Sequence, residues 1–100
     1  MDDQAKFFEE ISVLVESMNE LSKSVLPDYK NFVKDVISNK ITDIHEIERQ
    51  LDYMLTFCFN EEILLLFKVV LRKIFRKHPD VVESYVTTYF EMYGDNADEI

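Results

Sequence analysis

One hundred residues, 47% apolar and 13% aromatic, suffice for one domain with its own core and without disulfide or metal staples. A formal charge of −9, from 20 acidic and 11 basic residues, argues against general attraction to phosphate or anionic lipid. A single Gly and two Pro leave little punctuation, so the breaks must separate long helices rather than short strands.

The N-terminus, Met1-Asp2-Asp3-Gln4, is acidic where a signal peptide would be basic. The longest apolar run, from Ile63 to Phe67, falls far short of the ~20 residues that cross a bilayer. Cys58 is the only cysteine, which excludes an intrachain disulfide and suits a reducing compartment. The expected location is the cytoplasm.

Phe7, Ile11, Leu14, Met18, Leu21 and Val25 recur at spacings of three and four, the period that gathers them on one face of a helix. The first helix is predicted from about Asp3 to Ser24. The Leu26-Pro27 step then disfavours a continuing α conformation, and Pro27 fits the first turn of a second helix. That helix directs Tyr29, Phe32, Val33, Val36 and Ile37 inward. Ser38-Asn39-Lys40 supplies a stop, and Thr42 or Asp43 caps a third helix over roughly Ile44 to Phe59, with Glu46 completing a capping-box variant. Its inner face comprises Ile44, Ile47, Leu51, Met54, Leu55 and Cys58.

Asn60 followed by Glu61 and Glu62 reads as an N-cap with carboxylates in the first turn of a fourth helix. This helix ends in Arg76-Lys77-His78, where the dipole favours cations, and Pro79 stops it. A fifth helix follows from about Asp80 to Tyr93, and Gly94 stands where a left-handed cap is wanted. The expected architecture is all-α: a compact array of about five helices, bundle-like or orthogonal, over residues 1–94, with the fourth helix most central. Residues 95–100 form a short acidic tail.

Reactive groups are sparse. His45 and His78 are the only histidines, with no partner at four-residue spacing for zinc. Cys58 falls on an apolar helix face, where cysteine serves as a small core residue. There is no Gly-rich phosphate loop. Carboxylate pairs such as Glu9-Glu10, Glu16-Glu20 and Glu61-Glu62 read as solvated faces or helix starts rather than acid/base sites. The expectation is a non-enzyme without cofactor, metal or small-molecule substrate.

Two surfaces require explanation. On the fourth helix Ile63, Phe67, Val70, Leu71 and Ile74 share a core sector, while Leu65 and Val69 point to nearly the opposite side with Arg72 and Arg76. Either another helix of the same domain covers them, or they form the apolar centre and charged rim of an interface. On the fifth helix Tyr85, Tyr89 and Tyr93 stand at four-residue intervals, a stripe suited to an interface that is half apolar and half wet, although a terminal helix locked into the core would use it as well. The cations Lys68, Arg72, Lys73, Arg76 and Lys77 pair with local carboxylates, rim a contact with an acidic protein, or touch nucleic acid. These readings rank in that order, because a nucleic-acid site usually needs a positive field over a whole face. The expected function is a small cytoplasmic interaction protein, an adaptor, inhibitor or immunity-type factor, acting by helix-face contact and forming a homodimer. The alternatives are a nucleic-acid-linked regulator using the basic cluster and an acidic DNA mimic.

Overall fold

A computed structural model of the chain describes residues 2–94, except for the side chains of residues 2–4, 7 and 8. Four helices, α1 (Asp2–Ile37), α2 (Ile44–Thr56), α3 (Glu61–Ile74) and α4 (Pro79–Tyr93), form a helical bundle with no strand among the described residues. The expected acidic tail, 95–100, lies outside the described residues.

The helices number four rather than five because the first two predicted ones are continuous. Instead of ending at Ser24, α1 passes through Pro27. A proline inside a helix removes the donor that would reach the carbonyl four residues earlier, here that of Lys23, and its ring crowds that carbonyl. At about 100° per residue, the exposed Pro27 lies opposite the buried positions Ser22, Tyr29, Val33 and Val36. That outer side is where a helix wrapping a core is convex and its carbonyls turn toward water. The lost bond is therefore replaced by solvent, while inward packing on both sides of Pro27 keeps the helix in one piece.

The other boundaries follow local chemistry. Asn39 takes a left-handed conformation (φ 63°), and its N–H donates to Val36 O while that of Lys40 donates to Asp35 O. This is a Schellman stop with asparagine in place of glycine. Asp43 caps α2 by accepting from the His45 N–H, and Asn60 caps α3 by accepting from the N–H groups of Glu62 and Ile63. Pro79 opens α4 at its first position, where no donor is needed. Gly94 ends α4 without the left-handed conformation expected of it (φ −11°); a Cβ there would meet no atom within 4 Å.

The second half of α1 runs alongside α3 in the same sense. Ser22 meets Asn60 at the start of α3, and Val36 shares a recess with Ile74 at its end. Central in the bundle, α3 touches each of the other helices. Leu51, Met54, Ile63, Phe67 and Val70 form the fully shielded middle of the core. Among the described side chains, every buried residue of α1 lies at or after Ser22.

Candidate interaction surface

The apolar stripe expected on one face of the first helix stands, over its described residues before Ser22, outside the core. From residue 5 to residue 21 every described side chain is exposed apart from the half-buried Met18. Ile11 is 40% exposed, Leu14 63% and Leu21 47%. This arm extends about 25 Å past the start of α3, at about 1.5 Å per residue, and it accounts for the molecule's longest dimension of 56 Å. The radius of gyration, 16.0 Å, exceeds the roughly 13 Å of a compact chain of this length.

A polar clamp fixes the arm's base. The hydroxyl of Ser22, only 1% exposed, donates to Asn19 O (2.7 Å) and accepts from Asn60 Nδ2 (3.1 Å). Because the side-chain oxygen of Asn60 also caps α3, one amide both starts α3 and holds the point at which α1 leaves the bundle. Nearby, Lys30 pairs with Glu62 (3.7 Å); both side chains are exposed, so the pair contributes little.

The residues singled out from sequence divide into two groups. On the outer side of α3, Leu65 is 63% exposed, Val69 is half-buried against the core, and Arg72 and Arg76 are exposed. On α4 the tyrosine stripe is engaged within the subunit. Tyr89 is 2% exposed. The Tyr85 hydroxyl stands 2.8 Å from Glu48 O and 2.7 Å from an Asp52 carboxylate oxygen, so its single proton serves two acceptors. That of Tyr93 donates to Leu55 O (2.8 Å). Burial and, for Tyr85, the Asp52 hydrogen bond raise the pKa of both phenols above 10.0. These tyrosines fasten α4 to α2.

Among the described residues, Arg72, Lys73, Arg76 and Lys77 enter no ion pair. Their position near the C-terminus of α3 already gives them a favourable interaction with the helix dipole. Between α3 and α4 an open groove of about 340 Å³ has Leu71, Phe75, Val82 and Val86 as its floor and Lys68 and Arg72 on its rim.

The remaining reactive groups are dispersed. Cys58 is buried, its thiol donates to Met54 O (3.4 Å), and burial pushes its pKa up to about 12. That leaves it a poor nucleophile at neutral pH. Exposed His45 stands 3.8 Å from Glu48, and His78 precedes α4 directly after Lys77, lining one recess with Lys73, Arg76 and Lys77. No three His, Cys, Asp or Glu side chains converge as metal ligands among the described residues. No described helix is long and apolar enough to cross a membrane.

No family model, curated protein or solved structure matches this chain. The surface is therefore read from its own geometry. Sequence reasoning gathered the apolar residues of the arm on one face but did not say what covers them. It missed Ser22 altogether. The available signal was a serine at a position between Met18 and Val25 that shares the inward side of the helix, where a buried hydroxyl requires a polar partner.

Proposed function

We propose that this chain is a small cytoplasmic interaction protein of the adaptor, inhibitor or immunity type, and that the arm of α1 is its principal contact surface. One observation carries the reading: a helix held firmly at Ser22 presents Ile11, Leu14 and Leu21 to solvent on a single face. Exposed apolar stripes of this kind are where amphipathic helices bind other helices or grooves. The outer side of α3, with Leu65 flanked by Arg72 and Arg76, offers a smaller second contact.

The reading is tested by comparing the wild-type chain with Leu14→Glu. Amide hydrogen exchange over residues 5–21 should be slow in the wild-type chain at working concentration, in the presence of its partner, and fast in the variant. Equally fast exchange in both, with no binding lost on substitution, would remove the arm as a contact surface. The nucleic-acid alternative relies on Lys68, Arg72, Lys73, Arg76 and Lys77, of which the last four lie near the C-terminus of α3, where the helix dipole favours cations. Failure of a labelled duplex and a labelled single strand to bind at low salt would eliminate it.

A further inference from the structure

We infer that the partner covering the arm is a second copy of this chain, the two arms pairing antiparallel about a two-fold axis near Ile11 and Leu14. This inference rests on the reading of the arm as a contact surface and specifies what occupies it.

The first support is the repeat. Ile11, Leu14, Met18, Leu21 and Val25 alternate in steps of three and four, a mean period of 3.5 that keeps one narrow seam facing another helix along its length. The seam is also self-complementary in charge. Glu9 and Glu16 occupy the positions farthest from it, and its described flanks within the arm are Val15 and Ser17, with Glu10 the one carboxylate among them. An acidic chain can therefore approach its own copy through this face without setting like charges against each other.

The fold chooses the orientation. At about 100° per residue, Ile11, Leu14 and Met18 lie on the same side of α1 as Tyr29, Phe32 and Val36, which pack into the bundle. Parallel pairing through that side would bring the second halves of both α1 helices together, where the α3 of each copy already sits. Helices pack at axial distances of only 8–10 Å, so the space cannot hold both. Antiparallel pairing instead sends the two bundles to opposite ends, and each arm lies in line with the other copy's α3. Ile11 then faces Leu14 of the second copy and the reverse, in two equivalent layers.

Surface area supports the same occupant. A standard stable interface removes about 800 Å² from each partner, and the described side chains from residue 5 to residue 21 are exposed apart from Met18. An isolated helical segment of the arm's length is also marginal in water. Packing against an equal segment supplies the stabilisation that the subunit alone does not.

Sedimentation equilibrium of the full-length chain, over a wide range of concentration, tests the assignment. The expected mass is twice 11.9 kDa for the wild type and for Val13→Glu, which alters the opposite side of the arm, and 11.9 kDa for Leu14→Glu. Because Leu14 is exposed in the subunit, its replacement leaves the bundle folded, and circular dichroism checks that. Orientation is read from disulfide formation under mild oxidant, with Cys58 too buried to interfere. A mixture of Glu10→Cys and Ser17→Cys chains cross-links more readily than either alone when the arms are antiparallel. Self-linking of each chain in preference to the mixture overturns that orientation. A wild-type mass of 11.9 kDa throughout overturns the second copy as occupant. If Leu14→Glu nevertheless abolishes binding to a different protein, the contact surface stands and only its occupant changes; if it affects no binding, both fail.

Discussion

Asn60 shows how one side chain can act at two levels. Its oxygen accepts from Glu62 N (2.9 Å) and Ile63 N (3.2 Å), while its amide nitrogen donates to Ser22. Asn60→Ala removes a cap and a clamp together. Loss of a cap costs about 1 kcal/mol, and chemical denaturation should show a loss of about 1–2 kcal/mol, since Ser22 keeps its bond to Asn19. An unchanged midpoint would mean that water replaces both contacts. The cap was legible from the Asn-Glu-Glu pattern, whereas the clamp was not, because it joins residues far apart in the chain and depends on where α1 leaves the bundle.

Cys58 and the α4 tyrosines set the alkaline limit of stability. Burial raises the thiol from 9.0 to about 12, and burial also raises Tyr29, Tyr85 and Tyr93 above 10.0. Groups with raised folded-state pKa values stabilise the fold fully below their unfolded values and lose that contribution as pH rises, because the unfolded chain then releases protons that the folded one retains. Stability should be level up to about pH 9 and decline from there toward the folded value of about 12 for the thiol. Cys58→Ala should flatten the first part of that decline in denaturation experiments run pH by pH; a slope identical to wild type would contradict the burial argument. The core role of Cys58 was readable from its place on an apolar face, but the tyrosine hydroxyl partners were not, since backbone carbonyls leave no mark in a sequence.

At the level of elements, Pro27 is the instructive case. Proline in a helix interior costs about 3 kcal/mol relative to alanine, yet α1 continues through it. The cost is tolerated because the position faces away from α3 and because packing of Tyr29, Phe32, Val33 and Val36 on one side, and the Ser22 clamp on the other, holds both flanks. Proline also restricts the unfolded chain, a compensation of about 0.4–1 kcal/mol. Pro27→Ala should therefore stabilise the protein by about 2 kcal/mol, visible as a higher denaturant midpoint and increased helical dichroism. Destabilisation would show that a bend at Pro27 is required to seat α1 on α3. Local rules placed the starts of α2, α3 and α4 well, since each carries its own cap or proline, but overran the ends of α2 and α3, expected near Phe59 and His78 and found at Thr56 and Ile74. They failed at Pro27 because tertiary packing outweighed a breaker, and they failed at Gly94 because the helix ended without a left-handed residue.

Across the whole molecule, folding and the proposed association fall to different parts of one helix. Among the described side chains, the buried part of α1 begins at Ser22, and all the other core residues follow it in the chain. The described apolar residues of the arm before Ser22 stay outside that core, with Met18 alone half-buried, although their periodicity resembles that of a core helix. Periodicity specifies a face but not whether the covering surface belongs to the same chain, which is why the arm's apolar residues were legible and their exposure was not. A chain beginning at Met18 keeps Asn19, Ser22 and the clamp. It should unfold cooperatively with a stability within about 1 kcal/mol of the full-length chain when both are dilute, since surface segments away from the core matter little. The proposed self-association would make the full-length melting temperature rise with protein concentration by mass action, and the shortened chain should lack that rise. Calorimetry at several concentrations separates the two effects. Collapse of the shortened chain would show that the arm belongs to the folding unit itself, while a concentration-dependent midpoint that persists after truncation would move the contact to the outer side of α3 around Leu65.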